Sequence, residues 1–249
     1  MIQASVGWQC PECVKRSART APVTRYRFST PGSAGTLVQR APVTLLLIAV
    51  NVVVFIISKG GSDAFIRRWG EAPAAVQLGD TYRLFTSPWI HLSIVHIGLN
   101  MLSLYVVGQP VEAAIGKVRY LLLYLGAAMG GSVAYFLLAP PTVLGVGASG
   151  AIFGVFGALF VVARKRGLQT GGIVGLIAIN LIYGFVVPGI GWQAHIGGLV
   201  AGTGIAAGFL LAERWRGTQA RLVETATCVA AAVVMYGLME FPCRHFVGN

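Results

Sequence analysis

The chain has 249 residues, of which 55% are hydrophobic and only 11% charged, with a mean hydropathy of +0.73 and a formal net charge of +11. Soluble domains carry about 25% charged residues, and a soluble core of this size could not hide so much apolar surface, so lipid must be the solvent for much of the chain. The basic balance does not point to nucleic acid: Lys and Arg fall in the gaps between apolar runs, and no basic stretch is interleaved with stacking aromatics.

Residues 1–41 are polar and basic, without the apolar core of a signal peptide, so the first membrane span is expected to direct insertion itself. Cys10-Pro-Glu-Cys13 has the spacing of half a zinc ribbon. Four thiolates need a second pair, and Cys228 and Cys243 are remote, so an unmetallated remnant or a reduced pair is favoured over zinc.

A bilayer-spanning helix needs about 20 mostly apolar residues. Seven stretches approach that length, at approximately 42–58, 92–109, 119–138, 149–164, 171–190, 194–212 and 222–241. The first is rich in β-branched residues, yet in hydrocarbon every backbone group must bond within its own segment, so a helix is still expected there. Pro140-Pro141 stops the third span. The pattern predicts an all-α polytopic membrane protein. With the N-terminus inside, 14 of the 19 Lys and Arg fall on the cytoplasmic side and five outside, which orients the chain N-terminus in and C-terminus out.

Two connections stand apart. Residues 59–91 form a long extracytoplasmic loop whose aromatics suggest a structure lodged at headgroup level. Residues 139–148 carry no charge and end in Gly145-Val146-Gly147-Ala148, so this loop is expected to dip into the protein.

Polar residues inside spans are costly, and each asks for an explanation. His96 and Asn100 are four apart and share a helix face, where they can aim two donors at one spot or tie the helix to its neighbours. Ser149 sits where a loop turns into a helix, between Gly147 and Gly150. Its backbone N–H is one of the unpaired donors of a helix start, although a plain N-cap beside a small-residue packing motif would look the same. His195 opens an otherwise apolar span followed by Gly198-xxx-Gly202, a spacing that lets a neighbouring backbone approach. If that neighbour is the span of Gly150, Gly154 and Gly157, His195 comes close to Ser149. Three polar sites at matching ends of spans two, four and six argue for a catalytic site over separate structural roles.

Taken together, Tyr82-Arg83, the run Phe85-Thr-Ser-Pro-Trp-Ile-His91 leading to His96-xxx-Asn100, Val111-Glu112, Gly147-Ala-Ser149-Gly150 and Ala194-His195-xx-Gly198-xxx-Gly202 resemble the rhomboid intramembrane proteases over roughly 40–212. The resemblance implies a six-helix core over 42–212, with 222–241 as the extra C-terminal span of one subset (a 6+1 arrangement) and 1–41 as a cytoplasmic tail. It implies that Ser149 is the nucleophile and His195 the general base. His96, Asn100 and the Ser149 N–H would form the oxyanion hole, with Gly147 and Gly150 supporting it and Phe153 stacked on the catalytic histidine. Arg83 and His91 look structural. The family's first-loop Trp-Arg is Tyr82-Arg83 here, and Cys10/Cys13 resembles the end of a zinc-ribbon tail whose first half is missing.

The expected function is therefore an intramembrane serine endopeptidase of the cell membrane, cutting transmembrane segments of other proteins with a Ser-His dyad. No cofactor and no nucleic-acid partner are expected, and the sequence is silent on oligomeric state. No acidic residue is expected inside a core span, Glu112 following the second and Glu213 the sixth, so no third member orients the base. The rival reading is a catalytically silent rhomboid-like protein that binds transmembrane helices; it is disfavoured because both Ser149 and His195 are present. A transporter would place charged groups near the bilayer midplane, and the spans have none.

Overall fold

A computed structural model describes residues 41–246, with backbone alone from 241 onward, and the backbone of two short strands near the N-terminus. The chain divides into two units, Met1–Gly35 and Thr36–Asn249. In the first, β1 (Ile2–Gln3) pairs antiparallel with β2 (Trp8–Gln9). Cys10 and Cys13 lie outside the described residues.

The second unit is helical throughout its described length. Its long helices are α1 (Pro42–Ile57), α5 (Ile94–Ile115), α6 (Lys117–Leu138), α7 (Ser149–Lys165), α8 (Gly171–Val186), α9 (Trp192–Ala212) and α10 (Thr218–Phe246). Between α1 and α5 the first loop carries α2 (Asp63–Trp69), α3 (Pro73–Gln77), α4 (Arg83–Thr86) and a 3-10 turn over Ser87–Trp89. Among the described residues, α5, α6, α9 and α10 are each long and apolar enough to cross a membrane, while α1 and α8 are shorter apolar helices. This is an all-helical, multi-pass membrane architecture.

Helix α9 is the centre of the bundle, packing along α7 and α6, which also pack on each other. α5 lies against α7 and α1, and α10 against α9 and α6. Apolar attraction between helices is weak in lipid, so close van der Waals contact must do the work and small residues are needed where backbones cross. A Cβ on Gly202 would run into the backbone of Gly154, and one on Gly198 into the carbonyl of Gly150. The glycine spacing read in the sequence is thus the α7–α9 contact itself.

Helix boundaries differ from the sequence expectation in one instructive place. The second span is expected over approximately 92–109, but α5 runs on through Pro110 to Ile115. The proline forfeits one backbone bond, and the extra turn brings Glu112 inside the helix. That corrects the expectation that no acid lies within a core span. Glu112 is buried, and its carboxylate accepts from the Val43 and Thr44 backbone N–H groups (3.0 and 2.8 Å) and the Thr44 hydroxyl (2.8 Å). It caps the otherwise unpaired start of α1. Sixteen residues beyond His96, it lies about 24 Å along the helix at 1.5 Å per residue, far from the polar residues at the other end. At this same end Lys165 pairs with Glu213, and Arg119 with Glu213 and Glu224, tying α6, α7, α9 and α10 together.

The first loop is braced by Arg83, the second residue of the Tyr82-Arg83 motif. Its Nη1 donates to the carbonyls of Arg67 and Gly70, both at 2.8 Å, and its Nε to Asp80 at 2.9 Å. Trp69 meets Tyr82 edge-on at 5.6 Å, with the Arg68 guanidinium over both rings. The uncharged loop 139–148 folds inward only in its second half: residues 140–143 are exposed, whereas Gly145 forms an isolated antiparallel bridge with Glu71 and Ala148 is buried.

Gly202→Ala should destabilise the bundle by about 1–3 kcal/mol through overpacking, read as an earlier thermal unfolding transition in detergent. Gly204→Ala, two residues along the same helix where a Cβ meets nothing within 4 Å, should leave the transition unchanged or raise it.

Candidate active site

Ser149 is the first residue of α7, and its position there is set by the loop before it. Gly147 has φ +128°, a conformation side chains rarely adopt, and a Cβ on it would lie 2.9 Å from both Cε1 and Nε2 of His96. Glycine is therefore required twice over, by the backbone and by the imidazole that fills the space. The Gly147 N–H donates to the carbonyl of Ser87 at 3.0 Å, which anchors the loop to the 3-10 turn. Within α7 the first backbone bond is Ile152 N–H to Ala148 O, so the N–H of Ser149 is a first-turn donor with no helical acceptor.

His195 lies in the first turn of α9 and is buried. Close crossing of α7 and α9 brings its Nε2 to 2.9 Å from Ser149 Oγ, the residues being 46 apart in sequence. With the serine hydroxyl donating to Nε2, the imidazole proton sits on Nδ1. That nitrogen is buried with no protein hydrogen-bond partner among the described residues. Orientation comes from packing: the Phe153 ring stacks on the imidazole at 4.3 Å and 14°. Along the other edge, Gly184 of α8 is so close that a Cβ there would be 3.1 Å from Nδ1.

His96 lies on α5 with its Nδ1 accepting the Leu92 N–H at 3.3 Å. An accepting Nδ1 puts the ring proton on Nε2, the nitrogen beside Gly147, so His96 presents an N–H donor toward Ser149. The α5 N-cap, Ser93, accepts from the His96 N–H at 3.2 Å and fixes the helix start. Asn100, one turn on, lines the same cavity, but its side-chain amide donates to the His96 carbonyl at 2.9 Å, leaving its second N–H for a ligand. His91 is fully buried and meets His96 edge-on at 5.0 Å, and burial holds its imidazole down at about 3, so it stays neutral.

Ser149, His195, Phe153, Gly147, His96 and Asn100 border one cavity of about 400 Å³. A hydroxyl hydrogen-bonded to an unprotonated imidazole, facing a cluster of N–H donors, is equipped for nucleophilic attack on a carbonyl and for holding the oxyanion that results. Among the polar residues bordering the same space that sequence reasoning missed are Glu71, Ser87 and Ser132. Ser87 lies within the Phe85–His91 run, where nothing in its neighbours marks it as buried. Glu71 sits alone in a loop, where no periodicity marks a buried position. The carboxyl is only 2% exposed, and burial pushes it up to about 8.

The comparisons with known proteins point the same way. The model of the rhomboid domain matches residues 78–214. The chain is 38% identical over 208 residues to rhomboid protease GluP of Bacillus subtilis (strain 168), covering 78% of this chain and 40% of GluP. It is 34% identical to RHOMBOID-like protein 6, mitochondrial, of Arabidopsis thaliana, over 55% of this chain and 45% of that protein. To rhomboid protease AarA of Providencia stuartii it is 31% identical, over 53% of this chain and 57% of AarA. The chain thus spans less than two thirds of the length of each of these three relatives. With the rhomboid domain matched over more than half of its residues, and with Ser149, His195 and His96 gathered at one cavity among its helices, the chain belongs to the rhomboid family.

Proposed function

We propose that this protein is an intramembrane serine endopeptidase that cleaves transmembrane segments of other membrane proteins with Ser149 and His195. The observation that carries the reading is the 2.9 Å contact between Ser149 Oγ and His195 Nε2, inside a cavity that also holds the His96 N–H donor.

In this mechanism His195 takes the Ser149 proton as Oγ attacks the scissile carbonyl carbon. The tetrahedral oxyanion is held by His96 Nε2–H, the free amide N–H of Asn100 and the Ser149 backbone N–H. His195 then hands its proton to the leaving amine, giving an acyl-enzyme. Water activated by the same imidazole hydrolyses the ester and restores the serine. Without an acid on Nδ1, the ring is kept in register by Phe153 and Gly184. Peptide bonds within a helix are shielded by their own hydrogen bonds. The preferred substrates are therefore spans weakened by Gly or Pro, with a small residue before the cut.

The protease core is assigned to residues 42–212 with six spans, and the apolar stretch 222–241, within α10, to a seventh. Fourteen Lys and Arg on one side against five on the other support a cytoplasmic N-terminus and an extracytoplasmic C-terminus. The candidate site, at the starts of α5, α7 and α9, then opens outward, where water can reach it.

Ser149→Ala and His195→Ala should each abolish cleavage of a Gly-containing transmembrane reporter in membranes while the protein still accumulates. Undiminished cleavage by Ser149→Ala would end the proposal. His96→Ala should lower kcat by roughly 10²–10³-fold, the usual loss for one oxyanion donor, measured by gel-based turnover of the same reporter. For orientation, alkaline phosphatase fused after Asn249 should be active and a fluorescent protein at the same place dark. The opposite pair of results would invert the topology.

A further inference from the structure

We propose that Glu71 is the positioning residue for the nucleophile loop: its carboxyl closes a ring of hydrogen bonds through Ser87 that fixes Gly145–Gly147, and with them the placement of Ser149. The inference rests on the Ser149–His195 reading and adds a residue that acts from the first loop, through Ser87, without touching the reacting atoms.

The ring can be traced atom by atom. The Glu71 N–H donates to the Gly145 carbonyl at 3.0 Å, and the Gly145 N–H returns to the Glu71 carbonyl at 2.7 Å. Two residues on, the Gly147 N–H donates to Ser87 O at 3.0 Å. The Ser87 hydroxyl closes the circuit by donating to Glu71 Oε2 at 3.1 Å. The nucleophile loop is thus gripped on both sides of Val146, and the two grips are joined by a single carboxyl. Glu71 Oε1 is buried with no protein partner of hydrogen-bond geometry among the described residues. This side chain is therefore not held by an ion pair, and the groups around it are nearly all neutral. Tyr135 of α6 is the ionisable group coupled to it. Arg83 reaches only the neighbouring Gly70 carbonyl and is paired with Asp80, and His96 of α5 lies beyond Gly147. Ser132 and the Phe136 backbone on α6 favour the charged form, but burial outweighs them.

The sign of the pH effect follows from this environment. With the loop closed the carboxyl titrates near 8, whereas opened to water it returns toward the ordinary value of 4.5. The closed loop therefore holds a proton that the open loop releases, and closure weakens as pH climbs between these values. Above about 8 the buried group is ionised, with hydroxyl donors but no cation beside it, and the ring yields to water.

The test uses the full chain in proteoliposomes, as wild type, Glu71→Gln, Glu71→Ala and Ser149→Ala, with kcat and KM measured from about pH 6 to about pH 10. Wild-type kcat should fall as pH passes about 8, and Glu71→Gln, whose amide oxygen still accepts from Ser87, should keep its neutral-pH rate through that range. Below about pH 8 Glu71→Ala should lose roughly 10- to 100-fold in kcat against wild type, the scale of a misplaced reacting group, and the gap should narrow above it. Its KM should stay within about twofold, because substrate binding is untouched. An alkaline fall retained in Glu71→Gln, or a Glu71→Ala protein as fast as wild type below about pH 8, overturns the proposal. In parallel, hydrogen exchange of residues 139–148, corrected for the intrinsic pH effect, should show protection lost above about 8 in wild type, kept in Glu71→Gln and absent throughout in Glu71→Ala. Equal protection in all three also overturns it. Exchange needs no turnover, so the two readings fail separately. A wild type that never cleaves but shows this pattern refutes the protease and keeps the lock. Cleavage that needs Ser149 but ignores Glu71 refutes only the lock.

Discussion

Everything at the site depends on how closely α7 and α9 approach. The two helices cross with glycine against glycine, Gly150 and Gly154 facing Gly198 and Gly202, at a separation that leaves no room for a Cβ. In lipid no hydrophobic gain draws helices together, so contact at this range must come from dispersion between bare backbones. One side chain at the crossing would lever the helices apart by more than a hydrogen bond can tolerate. The 2.9 Å contact of Ser149 with His195, at the ends of those helices, is a consequence of the packing a turn or two below it.

The same economy governs how the imidazole is oriented. In a soluble hydrolase a carboxylate beneath the histidine fixes the tautomer and supports the charge that develops. Here Nδ1 of His195 faces Gly184 of α8, and the ring is flattened against Phe153. Within the membrane a buried carboxylate would be expensive. Three acids at the long helices lie toward the other end, where Glu112 caps α1 and Glu213 and Glu224 meet Lys165 and Arg119. Ion pairs thus tie the helices together at that end, while at the Ser149–His195 contact itself the imidazole is held by ring stacking and close packing.

The first loop completes the site by constraining what the helices leave free. Arg83 organises it by taking the carbonyls of Arg67 and Gly70, so Glu71 leaves that bend pointing inward. The loop then reaches the residues before Ser149 by backbone pairing at Gly145 and by Ser87 at Gly147. His96 is pinned from the same direction, through the Leu92 N–H at its Nδ1, which settles which nitrogen can donate. A connection of this length would otherwise be a mobile surface segment. Its aromatic and polar anchors make it part of the scaffold.

The sequence by itself determined the solvent and the class of fold. Long uncharged apolar runs admit only helices in hydrocarbon, because each backbone group must bond within its own segment. It also singled out Ser149, His195, His96 and Asn100, since a polar residue in an apolar span is conspicuous one residue at a time, and the small-residue spacing in two spans suggested which helices meet. Tertiary structure alone decided what depends on contacts between distant segments. α5 continues through Pro110, because the extra turn carries Glu112 to the bare N-terminus of α1, 69 and 68 residues away at Val43 and Thr44. The amide of Asn100 turns back to the His96 carbonyl. Glu71, an ordinary loop acid to the eye, becomes a buried carboxyl at the edge of the candidate nucleophile's cavity. Periodicity and residue type report a segment's relation to its solvent, whereas burial of one loop side chain is set by which other segment closes over it, and no local pattern records that.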